Sequence, residues 1–349
     1  MEKYTSHLIK SNATIKDALI AINKITNQIL SLFVIDDNMQ LVGTLTDGDI
    51  RRALVIGSQL SESVRLAMNS SFKSINCEKV DPYLIKSYRN SGIKLLPALD
   101  KDGKILKIYN LVEKQSILPI DAVLMAGGKG ERLKPLTDET PKPLLKVGSK
   151  PIIDYNIELL LKFGVENINV TVNYLAEQIE THFAKDRDGI KVKCIREPRY
   201  LGTMGSIKLI PKFYNDSILI MNSDLFTNID LEDFYNTFID SGAEMAVAAV
   251  PYSFAVPYGV FDLDENSIKG LREKPTYNYY ANGGIYLIKR SLLEIIPNDL
   301  FFDATDFIEL ILEQGYKVTH FPIIGYWIDI GKPEDFKKVQ EYAKHLQLT

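Results

Sequence analysis

The chain has 349 residues, 46% of them hydrophobic and 25% charged, and a formal net charge of −4. That length allows two domains with sizeable cores, and the slight acidic excess argues against nucleic acid as the main partner. No apolar run approaches membrane-spanning length, and the N-terminal MEKYTSHLIK lacks the apolar core of a signal peptide. A soluble cytoplasmic protein without a membrane partner is the expectation. The two cysteines, Cys77 and Cys194, lie far apart without CxxC spacing. This argues against a disulfide framework or a cysteine zinc site and for thiols in a reducing compartment.

The first segment, residues 1–116, holds a weak internal repeat. FVIDDNMQLVGTL (33–45) resembles LPALDKDGKILKI (96–108), each an apolar strand, an acidic turn and a second strand. The second copy lies 64 positions on, Thr46 matching Asn110 and Asp49 matching Glu113. Helix-like stretches, TIKDALIAINKI and KVDPYLIKSYRN, precede the two copies. Two small α/β units packed on each other would explain this pattern. The run GTLTDGDIRRAL (43–54) resembles CBS domains, which occur in pairs and often bind adenosine nucleotides. That resemblance implies a ribose contact from Thr46 and Asp49. The second copy has Asn110 and Glu113 instead, so one nucleotide site at most is expected. The alternative is a scaffold or dimerisation module in which Asp49 only caps a helix.

The chain divides near residues 115–121, and the second segment, 121–349, alternates strands and helices. DAVLMA is a short buried strand. A helix is predicted from Pro151 to Gly164, with Ile153, Ile157, Leu160 and Leu161 on one face. NINVTVNYL alternates apolar and polar residues, as a half-buried strand would. ILIMN (218–222) and MAVAAV (245–250) are continuous apolar runs, and GIYLIK and KVTHFPI add two more candidate strands. The expected fold is α/β, a doubly wound, mostly parallel sheet whose ligands sit beyond the carboxyl ends of the strands.

Polar clusters fall at those ends. VLMAGGKGERLKPLTDETPKPLLKV (123–147) opens from a strand into Gly127, Gly128 and Gly130, followed by Arg132 and Lys142. Glycines let backbone N–H groups approach a polyphosphate, and fixed cations offset its charge. The loop is neither a P-loop nor a GxGxxG dinucleotide fingerprint. Asn222-Ser223-Asp224, Glu273-Lys274-Pro275 and Asp329 supply further polar groups. Transfer of a nucleotidyl group to a sugar 1-phosphate would need such a set. The phosphate nucleophile is already anionic at pH 7, its second pKa being ~6, so no general base is required. What is required is charge neutralisation by a cation held on carboxylates, with Lys and Arg in line. None of the four histidines, His7, His182, His320 and His345, sits in a catalytic motif.

Taken together, GGKGERLKPLTDETPKPLL, LGTMGSI (201–207), NSDL, EKP, NGGIY and WIDIGKPEDF closely resemble, in order, the motifs of sugar-1-phosphate nucleotidyltransferases. The resemblance covers residues 121 to about 340. It implies a Rossmann-like nucleotidyltransferase fold and a role for each motif. Gly127, Gly128 and Gly130 would hold the nucleotide, Arg132 the β/γ-phosphates, and Lys142 the reacting phosphate. Gly202, Thr203 and Gly205 would line the base and sugar region. Asp224 and Asp329 would hold Mg²⁺, Lys274 would contact the sugar phosphate, and Glu273 and Asn282 would meet sugar hydroxyls. Ser223 stands where many members have Gly, a modest change in the turn. Guanylyltransferases resemble the chain in several motifs, which points to GTP and to glucosamine 1-phosphate or mannose 1-phosphate, for surface-glycan synthesis. Thymidylyl- and uridylyltransferases share most of these residues and stay open, as does a non-catalytic regulatory subunit that binds nucleotide sugars. The expected partners are the NTP, the sugar 1-phosphate, an adenine nucleotide at the CBS pair, and further copies of the chain in a homo-oligomer.

Overall fold

The computed structural model describes residues 2–25, 29–77, 79–187 and 189–345, and the side chains of all of these but residues 2 and 3. The chain falls into two compact units, Met1–Leu118 and Pro119–Thr349.

The first unit opens with β1 (Leu8–Lys10), α1 (Ile15–Lys24), β2 (Ser31–Ile35), β3 (Leu41–Thr46) and α2 (Asp47–Val55). It continues with β4 (Ile75–Asn76), α3 (Pro82–Asn90), β5 (Leu95–Leu99) and β6 (Ile105–Asn110). Helix α1 starts at Thr14, whose hydroxyl and Asp17 form a reciprocal capping box, and it buries Ile15, Ala18 and Ile22. Two three-stranded sheets have the same design. β1 runs parallel to β2 and β2 antiparallel to β3, while β4 runs parallel to β5 and β5 antiparallel to β6. The pairing even shifts register at matching places, between Val34 and Ile35 and between Ala98 and Leu99. The copies differ after their last strand. Thr46 and Asp49 start α2, whereas Asn110 only tightens a turn by accepting from Val112 N–H at 3.0 Å.

The second unit is built on β7 (Ile120–Ala126), a short hairpin of β8 (Lys146–Val147) and β9 (Lys150–Pro151), α4 (Ile152–Lys162) and β10 (Asn167–Val172). Then come α5 (Ala176–His182), β11 (Lys193–Arg196), the single turn α6 (Gly202–Gly205), β12 (Ser217–Asn222) and β13 (Leu225–Thr227). The chain continues through α7 (Leu231–Ser241), β14 (Met245–Ala255), β15 (Val260–Asp264), β16 (Ser267–Arg272) and β17 (Thr276–Lys289). It finishes with α8 (Ala304–Glu313), β18 (Val318–Pro322), β19 (Trp327–Asp329) and α9 (Pro333–His345).

The central sheet has the order β11-β10-β7-β12-β17-β14-β18, and every strand but β17 points the same way. Its α/β architecture is the mostly parallel one expected from the sequence. One core cluster joins Val123, Ile218, Ile220 and Ile288 to Phe307 and Ile311 of α8. Another joins Phe226 and Ile328 to Val339 and Ala343 of α9. The buried Asp121 at the head of β7 accepts from Tyr214 N–H at 2.7 Å and Asn215 N–H at 2.8 Å, so its charge is answered by backbone dipoles. No helix among the described residues is long and apolar enough to cross a membrane.

Two sequence expectations need correction. β10 is covered on both faces, not one, with Asn169 and Thr171 both buried. It lies inside the sheet between parallel neighbours, where alternation no longer reports exposure. GIYLIK is not a short strand but the end of the 14-residue β17. β14 and β17 pair well past the core, from Ala249–Asn282 to Ala255–Thr276, and carry the β15–β16 hairpin as an arm with exposed residues.

Candidate active site

The parallel strands of the second unit deliver their carboxyl ends to one cleft of about 720 Å³. Ala126 of β7 leads into Gly127, Val172 of β10 into Asn173, Arg196 of β11 into Glu197, and Asn222 of β12 into Ser223 and Asp224, and the residues that follow these strands, Gly127, Asn173, Glu197, Ser223 and Asp224, line it. The glycines serve different ends. A Cβ on Gly127 would stand 2.3 Å from Glu197 Oε1. Gly130, at φ 65°, would press one within 3.0 Å of Thr137. Around Gly128 the space is open, as it would be if a ligand belonged there.

Arg132 and Lys142 lie on two short 3₁₀ turns, Glu131–Leu133 and Lys142–Leu144, and both line the cleft. The Lys142 ammonium donates to Asp224 Oδ2, and Asp329 Oδ1 stands 3.9 Å from the same nitrogen. The two aspartates come together through the backbone. β13 and β19 pair antiparallel with Leu225 opposite Asp329, and Ile330 N–H donates to Asp224 O at 3.3 Å. Ser223 fixes the turn by donating to Met125 O at 2.6 Å, while Asn156 donates to Ser223 O at 3.1 Å. Serine thus adds a tether to the turn that a glycine would lack. Burial, and next the Asp224 carboxylate, push the Asp329 carboxyl above its usual range, with Lys142 and Arg132 opposing.

Asp224 Oδ1 is buried and has no hydrogen-bond partner among the described residues. An orphan carboxylate oxygen beside a second carboxylate fits a divalent cation. No group of three His, Cys, Asp or Glu suited to a metal occurs among the described residues. Mg²⁺ needs fewer, because it takes one or two carboxylates and completes its shell with phosphate and water.

Gly202 and Thr203 line the cleft from α6. Gly202 has φ 76°, and Thr203 N–H donates to Asp303 Oδ1 at 3.0 Å. Gly205 is absent from the lining and instead packs on backbone, where a Cβ would lie 2.4 Å from Leu300 O. Asn282 accepts from Gly284 N–H at 2.9 Å, and Gly284 lies against Asn222 at the cleft edge. Glu273 and Lys274 are not brought to the cleft. They are exposed on the arm, with Lys274 at φ 44° just beyond Thr276. Six residues of extended strand separate Thr276 from Asn282, about 20 Å.

Asn222, singled out with Ser223 and Asp224, also lines the cleft, whereas sequence reasoning passed over Glu197, Asn173 and Tyr200, which line it too. The signal for Glu197 was an acidic residue directly after the strand KCIR, four positions before Leu201. Only 3% of it is exposed, and its Oε2 accepts from Leu201 N–H at 2.9 Å. Burial raises its carboxyl above the usual range, against the lowering effect of that N–H. Burial also pushes the Cys194 thiol up to about 11, which makes it a poor nucleophile. His182 is engaged by Asp154 Oδ1 at 2.7 Å, and neither residue lines the cleft.

In the first unit Thr46 and Asp49 spend their polar atoms on a helix cap. Asp49 Oδ2 accepts from Thr46 N–H at 2.8 Å and Oγ1 at 2.6 Å, and Oδ1 from Arg52 at 2.5 Å. Thr46, though not Asp49, lines a cleft of about 750 Å³ that draws on both repeats, from Phe33, Arg51 and Phe72 to Lys73 and Lys94.

The Nucleotidyl transferase family model matches residues 121–345, and the CBS domain model matches residues 7–56. The chain belongs to the nucleotidyl transferase family. The transferase is 29% identical over 229 residues to D-glycero-alpha-D-manno-heptose 1-phosphate guanylyltransferase of Aneurinibacillus thermoaerophilus, covering 65% of this chain and 99% of that one. It is 32% identical over 225 residues to mannose-1-phosphate guanyltransferase of Pichia angusta, covering 61% of each. Among solved structures, the transferase resembles HddC from Yersinia pseudotuberculosis complexed with GMP-PN. Identity there is 28% and the TM-score 0.50, over 64% of this chain and 98% of that one.

Proposed function

We propose that the cleft joins an NTP, GTP for preference, to an aldose 1-phosphate such as glucosamine 1-phosphate or mannose 1-phosphate. Pyrophosphate is released and a nucleotide sugar for surface-glycan synthesis is formed. The observation that carries this reading is the Lys142 ammonium within reach of both Asp224 and Asp329, in the cleft that the glycine loop lines. Guanylyltransferases among the relatives support the choice of GTP.

In this reading the loop of Gly127, Gly128 and Gly130 receives the triphosphate, and Arg132 offsets charge on its β- and γ-phosphates. A sugar-phosphate oxygen attacks the α-phosphorus. The new P–O bond forms as the α–β bridging P–O bond breaks, and the electron pair leaves with pyrophosphate. The nucleophile arrives as an anion, so no side chain has to remove a proton. Lys142 offsets the charge that builds on the α-phosphoryl oxygens. Asp224 and Asp329 would hold Mg²⁺, which would supply positive charge to offset that of the phosphates. Asn282 lies on the sugar side, and Lys274 would meet the sugar phosphate, and Glu273 a sugar hydroxyl, only if the arm reached the cleft.

The test is a matrix of GTP, CTP, UTP, dTTP and ATP against several sugar 1-phosphates with Mg²⁺, read by pyrophosphate release. Turnover should be highest with GTP. Silence across the whole matrix from folded protein would defeat the proposal.

A second site belongs to the first unit. Its cleft combines aromatic Phe33 and Phe72 with Arg51, Lys73 and Lys94, which suits an adenine nucleotide. Thermal melting of the full chain with AMP, ATP and S-adenosylmethionine tests this. No shift with any of them would leave the unit as a scaffold.

A further inference from the structure

Trp327, the single tryptophan of the chain, stands two residues before Asp329 on β19. Side chains alternate between the faces of a strand, so Trp327 and Asp329 share one face and Ile328 takes the other. Burial agrees. Ile328 joins the core cluster of Phe226 and Val339, while its two neighbours are half-buried. β13 holds the strand in register, with Thr227 opposite Trp327 and Leu225 opposite Asp329.

The Trp327 indole Nε1–H donates to Gly283 O at 2.9 Å. Gly283 lies where β17 parts from β12, whose last pair with it is Met221–Ile285. Here β17 also bulges against β14. Val247 faces Tyr286 and Ala249 faces Asn282, so Gly283, Gly284 and Ile285 stand opposite Ala248 alone. A bulge interrupts the ladder and re-aims the strand that follows. This one is tight. A Cβ on Gly283 would lie 2.6 Å from Ala248 O, and one on Gly284 2.6 Å from Nδ2 of Asn222, a residue of the cleft wall. Asn282 closes the turn by accepting from Gly284 N–H. The direction in which Asn282 leaves the sheet thus depends on how the bulge is held, and Trp327 holds it from the strand of Asp329. We infer that Trp327 is a positioning residue for the sugar. Its indole N–H fixes the Gly283 bulge against β19, which sets Asn282 at a defined distance from the paired carboxylates. This rests on the transferase reading given above and adds how its sugar side and its carboxylate side are aligned.

The test removes the N–H and keeps the ring. The full-length chain is made with 3-benzothienylalanine at position 327, an isostere whose sulfur cannot donate, and separately as Trp327→Phe. Binding of GDP-mannose and of GDP is measured by calorimetry, or of the matching pair for the substrates that the wild type turns over. No pyrophosphate is present, so nothing reacts. Both substitutions should weaken the nucleotide sugar about three- to tenfold, the worth of one hydrogen bond, and move the diphosphate by less than about twofold. In turnover, KM for the sugar 1-phosphate should rise by the same factor while KM for the NTP holds. Wild-type affinity for the nucleotide sugar in the benzothienyl protein overturns the inference, whether or not W327F folds. An equal loss for both ligands also overturns it, because it marks a purely structural residue. In both cases the transferase reading survives. A folded wild type that uses no sugar 1-phosphate removes that reading and this inference together.

Discussion

The Lys142 ammonium is hydrogen-bonded to Asp224 across 82 residues of sequence, with Asp329 Oδ1 3.9 Å from the same nitrogen. Three charges from three distant segments thus share one small volume. Lys142→Ala should lower kcat by about 100- to 1,000-fold, the usual cost of losing one preorganised transition-state donor. Pyrophosphate release measures this. Loss of less than threefold would remove Lys142 from the reaction.

Asp224→Asn keeps the shape of the side chain and removes its charge. The apparent Mg²⁺ affinity should weaken and activity fall by about 100-fold or more, with the melting temperature little changed. Mg²⁺ titrations of wild type and variant provide the check. Unchanged activity at limiting Mg²⁺ would exclude Asp224 as a metal ligand.

The burial that raises the Glu197 carboxyl gives a pH signature. A ligand N–H that reaches this carboxyl would favour its ionised form, so that binding would lower the pKa again. GTP affinity should therefore weaken as pH falls through the pKa of the free enzyme, which lies above the ordinary 4.5. The γ-phosphate of GTP titrates too, so the relevant quantity is the difference between wild type and E197Q. A pH profile of KM identical in both would refute the linkage.

Gly205 and Gly128 make a contrasting pair. A Cβ on Gly205 would meet a backbone oxygen at 2.4 Å, whereas Gly128 has open space. Gly205→Ala should cost about 1–3 kcal/mol, a drop of several degrees in melting temperature. Gly128→Ala should melt like wild type but raise KM for the NTP. Equal melting of the two variants would contradict this account of the cleft wall.

Lys274→Ala should raise KM for the sugar 1-phosphate about tenfold, a loss typical of one hydrogen bond to a charged group, and leave KM for GTP alone. If both constants stay at wild-type values, the arm does not reach the substrate.

Much of this was legible in sequence because local rules govern it. The glycine loop follows a continuous apolar strand, and continuous strands read clearly as buried. The repeat of 64 positions is carried into the strand pairing, down to its register shift. The alternation of Asn169 and Thr171 misled because both are buried inside a parallel sheet. The arm was missed because exposed Tyr and Phe at residues 252–280 look, in sequence, like any aromatic strand. Glu197 was missed because nothing local distinguishes a buried carboxylate from a solvated one. Its environment is made by Gly127 and Leu201, and the former is 70 residues away.

The pairing of β13 with β19 has a consequence for how the enzyme comes into being. Asp224 is placed by a strand whose partner is translated about a hundred residues later. Trp327 of that partner also ties itself to Gly283 O at 2.9 Å, at the base of the arm. A growing chain can complete the glycine loop, Lys142 and Asp224 and still lack the strand that sets the second carboxylate. If Asp224 and Asp329 act together as proposed, a chain broken off before Trp327–Asp329 should fold its glycine loop and still turn over no substrate.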